Sequence, residues 1–336
     1  MVQSMTTPVS NIIEGVSNTA LKYWLRRNGF RHSAGTVDAL IALVEKAIDK
    51  DKLSIERLKE GVREIEEHGG KRVFLKELID LSIFENRKTF EKHLSTLDIT
   101  LADSPGASIK RPAKPRINYA IWQGNEVRVK YSERHERINF DKKTRKWEEI
   151  ASTNFIVISV ETDTGFTKIF MDPSGDVHPH MNDRGTITDD AYTQFYFDKA
   201  AEIFGEFDDF DLIQPVNRLL AINPPIYKFI NNSGWTDDGF QYSFKGREDV
   251  RQCQGHKAAA GGNASPGAPD FIRGSWLQSQ SFVPSEPGEE SEDDKNLYQL
   301  ERDLYMPIWP PLSRIQFKAD CLKEEVNYAI SRIRNI

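Results

Sequence analysis

The sequence predicts an α+β protein, with a small bundle of short helices followed by a mixed, mainly antiparallel β-sheet module with packing helices. Three observations carry this. Apolar residues recur at three- and four-residue spacing from Thr19 to about residue 100. From about residue 118 the spacing changes to alternation, as in Val127, Val129 and Tyr131 with Arg128 and Lys130 between them. The chain has 336 residues, enough for two or three domains with cores of their own.

The elements follow in order. Residues 1–11 lack periodicity and read as frayed. Leu21, Trp24 and Leu25 share one helical face, and Asn28-Gly29 reads as its stop. Thr36 is an N-cap for a second helix with the stripe Leu40, Ile41, Val44 and Ile48. A third helix begins near Ser54, carries Leu58, Val62 and Ile65, and ends at Gly69-Gly70. Further helices are expected over 72–82 and 85–95. Residues 101–117 hold Pro105, Pro112 and Pro115, so they read as a basic linker or extended arm. Phe155–Val160 reads as a central strand, and Asp163-Thr164-Gly165 turns it into Phe166–Met171.

Residues 189–205 read as a helix through Tyr192, Phe195, Tyr196, Ala200 and Ile203. Leu212–Leu220 reads as a shorter one, stopped by Pro224-Pro225. A hairpin is expected over 233–250 around Asp237-Asp238-Gly239. The Gly/Ala/Ser/Pro-rich stretch 254–270 and the acidic stretch 284–296 read as mobile loops. A strand over 298–317 and an amphipathic helix over 319–334, with Leu322, Val326, Ile330 and Ile333, close the chain. The expected divisions are 1–100 (helical bundle), 101–117 (linker) and 118–336 (α+β module).

Composition narrows the function. Hydrophobic residues are 38% and charged residues 29%, with mean hydropathy −0.56, which excludes a collagen-like or wholly disordered chain. No apolar run is long enough to span a membrane, so no membrane partner is expected. The N-terminal stretch lacks the basic and apolar blocks of a secretory leader, and the expected compartment is the cytoplasm. Two cysteines, Cys253 and Cys321, make neither a disulfide framework nor a four-cysteine zinc site. No P-loop, dinucleotide fingerprint, nucleophile elbow or H-E-x-x-H is present, and no cofactor or catalytic residue is expected.

Charge is divided along the chain. Residues 1–150 hold 28 Lys and Arg against 22 Asp and Glu, whereas residues 151–336 hold 17 against 29. Such asymmetry suggests a polyanion-binding half and an acidic half that engages a protein partner. Six acids and no base in Glu286–Asp294 sharpen the second suggestion.

Two stretches carry the cations. Between Thr19 and Gly35 lie Lys22, Arg26, Arg27 and Arg31 with no acid among them, and Thr36 opens the next helix with amides that suit an anion. The other stretch places Lys110, Arg111, Lys114 and Arg116 on the proline-stiffened arm. Arg128 and Lys130 then lie on one strand face, and Lys142, Lys143, Arg145 and Lys146 at a turn. All are expected to contact DNA phosphates, a sequence-independent mode of binding.

Leu21-Lys22, Leu25, Gly29-Phe30, Gly35-Thr36 and Leu40-Ile41 give residues 20–45 a pattern that resembles the SAP motif, a helix–extension–helix of DNA-binding proteins. Val37 stands where that family usually carries lysine. The resemblance implies DNA as the partner. The order of the modules is also similar to that of the CENP-N family of kinetochore proteins, which implies chromatin contact.

Two alternatives accompany this reading. One is an accessory subunit of a multi-protein prokaryotic defence or mobile-element system. The other is a metal-dependent nuclease using Asp172, Asp176, His178 and His180, with Asp183 nearby, a set chemically able to hold zinc or manganese. Cys253 with His256 is too little for a zinc site.

Overall fold

The computed structural model describes residues 8–106, 108–141, 145–172, 189–222, 227–236, 241–245, 249, 266–276, 304–317 and 320–336. The fold is α+β, with two compact units, Met1–Lys71 with Leu75–Asp208, and Arg72–Phe74 with Asp209–Ile336.

In the first unit the helices begin where their caps dictate. After a single turn, α1 (Val9–Ile12), come α2 (Asn18–Arg27), α3 (Val37–Asp49) and α4 (Ile55–His68). The side chains of Ser17, Thr36 and Ser54 each accept the N–H three residues on, those of Ala20, Ala39 and Arg57. Leu21, Trp24, Leu25, Leu40, Val44 and Leu58 are all at most 1% exposed and form the core of these helices. Trp24 donates its indole N–H to Glu64 on α4. α2 and α4 approach closely because position 61 is glycine, where a Cβ would lie 2.2 Å from the Trp24 ring. Gly61→Ala is therefore expected to destabilise the fold by about 1–3 kcal/mol. A urea midpoint equal to that of the parent would show that the Trp24 ring has room to move.

Residues 72–82 are not a helix. Arg72–Leu78 form strand β1, followed by a 3-10 turn at Ser82–Phe84. Val73, Phe74 and Leu75 are consecutive and buried, so the chain is covered on both faces, which a one-sided helical stripe cannot satisfy. Helix α5 (Arg87–Thr96) follows, capped by Asn86.

The sheet of the first unit runs in the order β2 (Leu101–Ala102), β3 (Arg116–Gln123), β4 (Glu126–Asp141), β5 (Lys146–Glu161) and β6 (Phe166–Met171). β2 is parallel to β3 and the later pairs are antiparallel. β4 and β5 are matched from Glu126↔Glu161 to Asp141↔Lys146. One face of β4 meets α4, and the other meets α6 (Asp189–Phe204) through the Tyr131–Tyr196 ring contact. From Val127 to Glu133 both faces of β4 are thus covered, which fixes the fate of the charged residues there, whereas Arg134 is exposed.

The segment 101–117 is part of this unit and does not divide domains. It adds β2 to the sheet, Pro105 O accepts from Arg63, and the Arg111 N–H donates to Thr153. The division falls after Asp208, within β7 (Phe207–Asp209).

The second unit holds α7 (Ile213–Ala221), β8 (Tyr227–Thr236), β9 (Gln241–Lys245), β10 (Pro266–Trp276), β11 (Leu304–Tyr305), β12 (Ile308–Trp309), β13 (Arg314–Gln316) and α8 (Lys323–Arg334). Residues 72–74 of β1 pair with β13, then follow β12, β10, β8 and β9, all antiparallel. Of the single strand expected over 298–317, the described part, 304–317, forms three short strands interrupted at Pro307 and Pro310-Pro311, because proline has no N–H to give the ladder. The loop expected over 254–270 gives way to β10 from Pro266. Its earlier part and the stretch 284–296 lie outside the described residues. Val326, Ala329, Ile330 and Ile333 bury the inner face of α8 as their spacing predicts.

Candidate functional site

The cations expected to face a polyanion fall into two sets. The first is consumed inside the protein. Alternation on β4 puts Arg128, Lys130 and Ser132 on the face covered by α4, and α4 ends there in Glu66, Glu67 and His68. Lys130 is fully buried. It donates to Glu66 Oε2 at 2.8 Å, to Glu67 Oε1 at 3.4 Å and to Ser108 Oγ at 2.9 Å. Arg128 bridges to Glu67 at 3.3 Å and to Glu126 at 3.6 Å. Lys110 is salt-bridged to Glu66, and Tyr119 donates its hydroxyl to Glu67. Lys130 and Arg128 are therefore not phosphate contacts. An ammonium without water must have partners, and α4 supplies two carboxylates.

Phe155 sits among the same charges. The Lys71, Lys110 and Lys130 ammoniums lie 5.9, 5.0 and 4.6 Å from its ring centroid, within reach of its negative face. Lys71 is itself buried and donates to Asp172 at 2.6 Å and to the Phe155 carbonyl at 3.0 Å.

The electrostatics follow from burial and neighbours. Burial alone pushes the Glu66 carboxyl up, but Lys130 and Lys110, by charge and hydrogen bonds, outweigh it and hold Glu66 at about 2. Glu67 is likewise pushed up by burial, and Lys130, His68, Tyr119 and Arg128 together bring it below the usual range. Burial pushes the Lys71 ammonium down, with Asp172 opposing. On the α6 side of the sheet, burial raises Glu133 despite its hydrogen bond from Tyr196.

Chemically, this network holds charge in place. The Ser108 hydroxyl donates to Glu66, but a carboxylate held near 2 is too weak a base to take its proton at neutral pH. Asp172, the one member of the expected metal set within the described residues, gives one oxygen to Lys71 and the other to the Phe155 N–H. Asp176, His178, His180 and Asp183 lie outside the described residues, as do Cys253, His256 and Glu286–Asp294. Among the described residues no group of three or more His, Cys, Asp and Glu could hold a metal ion.

The second set stays at the surface. α2, the extension from Asn28 to Thr36, and α3 form the expected helix–extension–helix. Phe30 packs on Trp24 at 6.2 Å, and Lys22 donates to Ala34 O at 2.7 Å, tying the extension back to α2. Lys22 is thus a brace within the motif. Arg26 is exposed and lies over the Tyr23 ring at 5.2 Å, Arg27 is half-buried, and Arg31 and Thr36 are exposed. Lys114, Arg116 and Arg145 are exposed as well. Arg111 is half-exposed and bridges to Glu14 at 2.9 Å. Lys142 and Lys143 lie outside the described residues, and the backbone of Lys146 begins β5.

Glu66, Glu67 and Lys71 went unnoticed in the sequence, although a signal existed. Glu66 falls four residues after Val62 and eight after Leu58, on the apolar stripe of α4. An acid on a buried stripe calls for a buried cation. Compared with known protein families and with curated proteins, the chain matches none.

Proposed function

We propose that this protein is a non-catalytic DNA-binding protein that holds the phosphate backbone through the exposed cations of its first unit. The observation that carries the reading is the helix–extension–helix at 18–49, which has no acid from Thr19 to Gly35 and keeps Arg26 and Arg31 exposed. Lys114, Arg116 and Arg145 add exposed positive charge in the same unit. Arginine suits this task because its planar fork donates to phosphate in pairs. The acidic second half is left for a protein partner.

Mobility shift of a labelled 30-base-pair duplex tests the proposal. About four phosphate contacts should weaken binding about 10²-fold between 50 and 200 mM salt. Arg26→Glu/Arg31→Glu should weaken it further at fixed salt without changing the circular dichroism. A duplex that does not bind at 50 mM salt, a complex indifferent to salt, or a double variant that binds like the parent would each overturn it.

A further inference from the structure

A cavity adjoins the cluster of Glu66, Glu67 and Lys130 along the Glu66 edge of α4. Lys59, Val62, Arg63 and Glu66 stand at positions i, i+3, i+4 and i+7 of that helix, so they share one face. With Asn11 and Ile12 of α1 and with Pro105, Gly106, Ser108 and Lys110, this face encloses a cavity of about 450 Å³. The volume falls within the roughly 300–1,000 Å³ of small-molecule sites.

The charges of the cavity are unequal. Lys59, Arg63 and Lys110 are its cations and Glu66 its one acid. Glu66 pairs within the lining with Lys110 through one oxygen, and its other oxygen accepts from Lys130, outside the lining, and from Ser108. The lining therefore carries a surplus of two positive charges. Two of its cations are already positioned. Arg63 is fixed by donating Nη1 to Pro105 O at 3.1 Å, which leaves its other donors over, and Lys110 is fixed by Glu66 and Phe155. Ile12, Val62 and Pro105 supply an apolar wall.

We propose that this cavity binds a small organic phosphate monoester, its dianionic head against Lys59, Arg63 and Lys110 and its less polar body against Ile12, Val62 and Pro105. Two negative charges on the head match the surplus of two, and a carboxylate would leave one unmatched. The proposal is independent of the DNA reading, since it uses neither Arg26 nor Arg31.

Titration of the full chain with inorganic phosphate, AMP and adenosine, followed by calorimetry and by the methyl resonances of Ile12 and Val62, tests it. AMP should bind saturably and shift both methyls, phosphate should bind more weakly, and adenosine should not bind. Lys59→Gln/Arg63→Gln should weaken AMP at least ten-fold. Lys59→Gln alone, a change at an exposed residue, should weaken it measurably in a chain that folds as the parent. AMP binding no better than adenosine, no saturation by AMP or phosphate at millimolar concentration, or variants that bind AMP like the parent would overturn the proposal.

Discussion

Lys130→Met is expected to cost about 3–5 kcal/mol of folding stability, the usual penalty for removing one member of a buried ion cluster. Lys130 is fully buried and donates to Glu66, Glu67 and Ser108. Methionine fills a similar volume but leaves two buried carboxylates short of a cation. Lys110 and Arg128 remain, yet each faces only one of the two acids. Urea unfolding followed by circular dichroism reads the loss. A cost under about 1 kcal/mol would mean that water reaches the cluster and the network is not a dry one.

The companion variant separates charge from packing. Adding Glu66→Gln and Glu67→Gln to Lys130→Met removes both uncompensated charges, so much of the lost stability should return. By contrast, the Arg111–Glu14 pair is half-exposed at both ends and its removal should matter little.

Local chemistry made much of the fold legible. Thr36 and Ser54 announce helix starts, and the structure places their side chains on the N–H groups of Ala39 and Arg57. The apolar stripe of the closing helix and the turn at Asp163-Thr164-Gly165 are equally local signals, and both elements form as expected. What needed tertiary context was lost. Val73-Phe74-Leu75 is a short apolar run whose identity as strand depends on being covered from both sides. Residues 101–117 look like a linker because of their prolines, yet Ser108 and Lys110 are anchored to Glu66, more than forty positions earlier. The candidate site shows the same limit. Alternation on β4 placed Arg128 and Lys130 together on one face correctly, but not whether that face meets water or α4. The acids that decide it belong to another element.

Acid should unfold this protein through the same cluster. Glu66 is held at about 2 in the folded state, against an ordinary value of 4.5. A depressed carboxyl stabilises the fold wherever the unfolded chain would be ionised too, so its contribution is complete above about 4.5. As pH falls from there towards 2, the unfolded chain takes up the proton first and the contribution drains away. The gap corresponds to about 3 kcal/mol. Glu67 is depressed as well and adds in the same direction, whereas Glu133 is raised and opposes it. Urea midpoints should therefore fall steeply with pH below about 4.5. Glu66→Gln should start lower at neutral pH, because Lys130 loses a partner, but should fall less steeply below 4.5. If parent and Glu66→Gln have the same slope there, the proton that unfolds the protein is bound elsewhere.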